Sequence, residues 1–143
     1  MIQQPEQSPG FMLWHVTLRW QRDVTAALKP LGLTHVQFVL LATAWWLNTN
    51  GQQPSQVSLA TESGTDVKMA SQVIRTLAQK GLITRETRAA DTRAHRLVVT
   101  ATGAALAPQA IDAVEAVDRA LLAPLSTKAS HAFTAALSQL RQS

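Results

Sequence analysis

Four residues punctuate the middle of the chain and leave it little choice of topology: Ser55, Gly64, Asp66 and Gly81. Ser55 follows Pro54 and offers a side-chain oxygen to the unpaired N–H groups of a helix start. Gly64 suits the left-handed residue that ends a helix. Asp66 can cap a second helix that reaches Lys80 and stops at Gly81. Two short helices joined by a tight glycine-containing turn make a helix-turn-helix.

The flanking sequence extends the helical pattern. Residues 1–9 are polar, hold two prolines and read as a frayed start. A helix is expected from about Gly10 to Lys29, with Leu13, Val16, Trp20, Val24 and Leu28 as its apolar stripe and Pro30 as its stop. Thr34 and Gln37 form a capping-box pair ahead of a helix from His35 to Leu47. Asn48–Gln53 reads as a loop. Leu82–Arg88 and Leu97–Thr100 are β-prone, and the charged run Ala89–Arg96 between them reads as a hairpin tip. Thr100 can cap an alanine-rich helix to Leu122, kinked at Pro108. Ser126 can cap a last helix to Arg141. The fold class is mostly α with a small β-hairpin. Residues 1–143 read as a single domain, with apolar residues at 46% and charged ones at 15%.

Charge is unevenly placed. Lys68, Arg75, Lys80, Arg85, Arg88, Arg93 and Arg96 stand against Asp66, Glu86 and Asp91. Elsewhere basic and acidic residues balance, so this window holds the whole net charge of +4. A concentrated basic surface attracts polyanions, and a solvated charged face reads the same way. The helix from Asp66 to Lys80 sharpens the choice. Ala70, Val73, Ile74 and Leu77 share one face at helical spacing, and Lys68, Ser71, Gln72 and Arg75 share another. Arginine can hold guanine with two bonds, glutamine can hold adenine, and serine suits either. Amphipathicity alone suits any surface helix; the preceding capped helix and the following basic hairpin favour a DNA-reading one. At the hairpin, Asp91 can orient Arg93 while Arg88 and Arg96 flank it. Arginine there suits the narrow, electronegative minor groove, and His95 suits phosphate. A solvent-exposed ion pair is the plainer account of Asp91 and Arg93.

Gly32-Leu33-Thr34 with Gln37, Leu59-Ala60, Leu77 with Lys80-Gly81-Leu82-Ile83 and Arg85, Asp91-Thr92-Arg93, and Thr100 with Gly103 fall in a familiar order. Over residues 11–141 the chain resembles the MarR family of winged-helix regulators. The resemblance implies a winged helix-turn-helix at 34–100, embedded in a helical dimer formed by 10–33 and 101–141. It implies a homodimer that binds double-stranded DNA at a near-palindromic operator, commonly as a repressor. It also makes Asp66–Lys80 the recognition helix, Leu82–Thr100 the wing and Arg93 the wing arginine held by Asp91. Lys68 and Met69 depart from the small hydroxyl residues common there, so base preference does not carry over.

Ala110, Val114, Val117 and Leu121 form a narrow seam suited to a partner helix or to packing within the chain. Phe133, Leu137 and Leu140 supply an apolar face on the last helix. All four tryptophans lie on the first two helices. Trp45 and Trp46 point about 100° apart and cannot both face one core. The resemblance implies a small aromatic ligand, with Trp14, His15, Trp45 and Trp46 as pocket candidates; core filling is the plainer role for each. The chain has no cysteine. Its four histidines show no metal-ligand spacing, and it has neither a phosphate loop nor a nucleophile motif, so no metal, cofactor or enzyme activity is expected. The longest apolar run, Val36–Leu47, is too short to span a bilayer. No targeting signal is visible, and a cytoplasmic protein is expected. The rival function is a winged helix used as a protein-interaction module without specific DNA binding.

Overall fold

The computed structural model describes residues 4–88 and 91–143, and of residues 88 and 91–94 it describes the backbone alone. Helix α1 spans Pro9–Leu28. The Ser8 hydroxyl caps it by accepting from Phe11 N–H, and Pro9 takes the first position, where no N–H is needed. A 3-10 turn at Lys29–Leu31 ends in left-handed Gly32 (φ 72°). Helix α2, His35–Thr49, starts with the full capping box, in which Thr34 and Gln37 exchange two 3.2 Å bonds. Helix α3, Gln56–Ser63, is capped by Ser55, and helix α4, Val67–Gln79, by Asp66.

Strands β1 (Ile83–Arg88) and β2 (Asp91–Val99) pair antiparallel. The second strand is longer than its apolar content suggests. The run 91–96, expected to form the tip, pairs as strand, with Glu86 opposite Arg96 and Thr87 opposite His95. Backbone pairing needs no apolar alternation.

Helix α5, Ala101–Leu122, continues through Pro108. Proline removes one backbone donor, but Ala104, whose carbonyl loses it, is exposed to water. Gly103 lies against the wing's base: a Cβ there would collide with the Leu82 carbonyl and stand 2.8 Å from Val99 Cγ1. Helix α6, Thr127–Gln142, has no buried residue.

One core joins α1 through α5 and the wing, with no buried polar side chain among the described residues. Burying a leucine fully is worth roughly 1.5–3 kcal/mol, and Leu28, Leu40, Leu41, Leu59 and Leu77 are all sealed. The seam on α5 belongs to this core. Ala110 and Val114 are buried within the chain, and Val117 packs against them, because α1 and α2 lie along α5. Periodicity shows that a helix has a buried face, not which helix covers it. Among the described residues no single helix is long and apolar enough to cross a membrane.

Candidate nucleic-acid interface

Helix α4 is held from below. Ala70, Ile74 and Leu77 are buried and Val73 half-buried, and the helix packs on α2, α3 and β1. The opposite face carries Lys68, Gln72 and Arg75 in the open, with Ser71 half-exposed beside them. Their spacing brings them into one patch along a helix about 20 Å long. Among the described residues the single ion pair is Arg19–Asp23, far along the sequence, so no described acid neutralises Lys68 or Arg75.

Two side chains fix the angle of this helix. Lys80, its C-cap, donates from Nζ to the Gly32 carbonyl at 2.7 Å and to Gln37 Oε1 at 2.8 Å. It therefore ties the end of α4 to the elbow between α1 and α2. A cation suits that place because helix C-termini carry unpaired carbonyls. Beyond Gly81 (φ 74°), Thr100 Oγ1 donates to the Gly81 carbonyl at 2.6 Å, and Thr100 N–H donates to the Leu82 carbonyl.

The base of the wing is clamped by Asn48. Its Nδ2 donates to the carbonyls of Leu97 (3.3 Å) and Gln52 (2.9 Å), while its Oδ1 accepts from Val99 N–H (2.8 Å). The Leu97 N–H goes to the Pro54 carbonyl. One carboxamide thus meets β2 much as a neighbouring strand would. Arg85 reaches back to Gln56 Oε1 at 3.3 Å.

Further out, backbone pairing sets Arg88 opposite Asp91. The side chains of Arg88, Asp91 and Arg93 lie outside the described residues. His95 is exposed, with Nδ1 3.5 Å from Thr87 Oγ1. Arg96 does not flank a tip. It is half-buried within β2, and its shielded Nε has no partner among the described residues.

The aromatic candidates differ in setting. Trp14 is 63% and Trp46 57% exposed; the His15 ring meets Phe11 at a tilt of 57°, centroids 4.4 Å apart; Trp45 packs half-buried on the core. None borders the cleft of about 350 Å3 between α1, the end of α5 and α6, which Leu13, Trp20, Asp118, Phe133 and Leu137 line. There Trp20 Nε1 donates to Asp118 Oδ1 at 2.7 Å, and the Trp20 ring meets His35 edge-on at 5.0 Å. Burial lowers the His35 pKa from its ordinary value. Among the described residues no three His, Asp or Glu side chains cluster as a metal site.

Asn48 and Asp118 were absent from the residues singled out by sequence, and Lys80 was read there for its charge and its place in the family pattern, not for its bonds to Gly32 and Gln37. The one signal for Asn48 was its polarity at the end of an apolar run; for Lys80, its place before a helix-ending glycine.

The family model described as "MarR family" matches residues 33–95. YdcH of Bacillus subtilis (strain 168), an uncharacterized HTH-type transcriptional regulator, is 41% identical over 124 residues, covering 87% of this chain and 84% of that protein. The HTH-type transcriptional repressor Rv2887 of Mycobacterium tuberculosis is 32% identical over 133 residues, covering 92% of this chain and 91% of that protein. The crystal structure of Rv2887 with salicylic acid matches at TM-score 0.72 and 30% identity, covering 93% of this chain and 96% of that one. Its complex with DNA matches at TM-score 0.72 and 28% identity, covering 93% and 97%.

Proposed function

This chain belongs to the MarR family of helix-turn-helix transcriptional regulators, and from that premise we propose a homodimeric, ligand-responsive repressor of a near-palindromic operator. One observation carries the DNA part: the exposed patch of Lys68, Gln72 and Arg75 on a helix capped by Asp66 at its start and tied down through Lys80 and Gly81 at its end. These side chains, with Ser71, read base edges in the major groove. Arg88, Asp91, Arg93, His95 and Arg96 form the wing's share of the contact, with Arg93 in the minor groove.

The dimer is supported by apolar surface left open in one chain. Phe11, Leu13 and Trp14 on α1, and Phe133, Leu137 and Leu140 on α6, are all exposed. A partner covering both helices places residues 10–33 and 101–141 at the dimer's centre and 34–100 at its DNA-binding ends. Two-fold symmetry then sets half-sites about 34 Å, or roughly 10 base pairs, apart. A monomer in sedimentation at micromolar concentration refutes the dimer.

The ligand is a small aromatic acid, by similarity to the salicylic acid complex of Rv2887. Trp14, His15, Trp45 and Trp46 are the proposed contacts; none lines the cleft between α1, the end of α5 and α6, so the ligand would sit outside it. Salicylate should quench tryptophan fluorescence and weaken DNA binding together, and no change in either removes this assignment.

Selection of bound sequences from random DNA, followed by salt titration, tests the function as a whole. A symmetric site should emerge, with log K falling by about 0.9 per neutralised phosphate against log salt. Failure to enrich a site, or salt-independent binding, leaves the protein-interaction module instead.

A further inference from the structure

The first turn of α4 contains two exposed apolar side chains that its own fold does not use. Val67 is 46% and Met69 50% exposed, although the helix has a well-formed buried face three to four residues on. Both border the polar patch. Val67 precedes Ser71 by four residues and Met69 precedes Gln72 by three, so each adjoins a base-reading candidate on the helix surface. The Asp66 carboxylate accepts from Met69 N–H at 3.0 Å, which fixes the backbone of this turn. The N-terminal residues of a recognition helix are the ones that meet base edges.

Resting on the DNA-binding reading above, we propose that Val67 and Met69 read thymine. The C5-methyl of thymine is the one apolar group displayed in the major groove, and apolar side chains contact it. Met69 beside Gln72 pairs a methyl contact with a bidentate adenine contact, a combination that fits an A·T step. Methionine's unbranched thioether can follow such a methyl without a fixed rotamer. Val67 and Met69 are separated by Lys68, so the apolar surface is two spots rather than the continuous patch that a protein partner needs.

The test replaces thymine by uracil, which deletes the methyl and leaves pairing intact. The full-length protein is first given random duplexes, and the enriched operator is remade with uracil at one thymine at a time. Affinity is read by fluorescence anisotropy at fixed salt. Wild type should lose about three- to fourfold at each contacted methyl, the effect of one buried methylene. Met69→Ser should abolish the penalty at one thymine per half-site, and Val67→Ser at another. Both positions are exposed, so helicity by circular dichroism should be unchanged, and the salt slope should match wild type. An enriched operator that tolerates uracil everywhere overturns the proposal and leaves DNA binding standing. So does a penalty of equal size in wild type and both variants. Failure to enrich any operator overturns DNA binding, and this proposal with it.

Discussion

Removing Asn48 should loosen the wing by an amount that can be worked out bond by bond. Asn48→Ala deletes two bonds to β2 and one to the Gln52 carbonyl. A typical internal hydrogen bond contributes about 1 kcal/mol net, and an amide left without a partner costs about 1–3 kcal/mol. Water can reach the Gln52 carbonyl, which is exposed, whereas Val99 N–H lies in a half-buried position. The expected loss is about 2–3 kcal/mol. Near this chain length that lowers the thermal midpoint by roughly 7–10 °C. Asn48→Asp separates bonding from shape. Its carboxylate can still accept from Val99 N–H, but its second oxygen then faces the carbonyls of Leu97 and Gln52, and acceptor meets acceptor. The aspartate variant should be at least as unstable as the alanine variant at neutral pH. It should recover in acid, where the protonated carboxyl can donate. Urea unfolding at one fixed protein concentration reads this directly, because stability of a dimer depends on concentration. A loss below about 0.5 kcal/mol for alanine, or an aspartate variant equal to wild type at neutral pH, refutes the clamp.

Gly103→Ala should cost about 1–3 kcal/mol, because the new methyl meets the Leu82 carbonyl, a backbone atom that cannot turn aside; a neutral result in urea shows that α5 can shift from the wing. Lys80→Met should cost about 1 kcal/mol and weaken operator binding without altering the salt slope, while Lys80→Arg should keep most of both; a reduced slope makes Lys80 a phosphate contact instead. For His35, burial lowers the folded-state pKa below 6.5, so the unfolded chain binds the proton first as acid is added. Stability linked to this residue is then complete above about 6.5 and declines as pH drops below it. His35→Gln should flatten that part of the urea profile between roughly pH 7 and 5, and an unchanged difference across the range removes the linkage.

The starts of α2 to α6 were legible because each depends on a side chain bonding within three residues, whereas Ser8, the cap of α1, lay in a stretch read as frayed. Thr34, Ser55, Asp66, Thr100 and Ser126 all cap where sequence places them. The two faces of α4 were legible for a related reason: a short helix on a core must bury one stripe. Contacts between distant positions were not. Asn48 meets Val99 across 51 residues, and Trp20 meets Asp118 across 98. Such pairs leave no local pattern, since neither residue is unusual among its own neighbours. The α5 seam showed its period but not its cover, and α1 took the place that a partner helix could have filled. The start of β2 was hidden because both faces of the outer wing are polar, which erases the period of two that marks a half-buried strand.

The clamped edge of β2 also bears on self-association. A ribbon of two strands has no interior strand, so each is an edge that could recruit a strand from another molecule. At the base of the wing that route is closed, since Leu97 N–H is occupied by Pro54 and the Leu97 carbonyl and Val99 N–H by Asn48. On β2 an intruding strand would have to begin farther out, along residues 91–96, where the sequence places Arg93, His95 and Arg96 against the single acid Asp91. Two such stretches brought together would set like charges side by side. The basic residues assigned to DNA would then also guard the wing against ordered aggregation, which makes neutral substitutions along 91–96 a solubility hazard as well as a loss of binding.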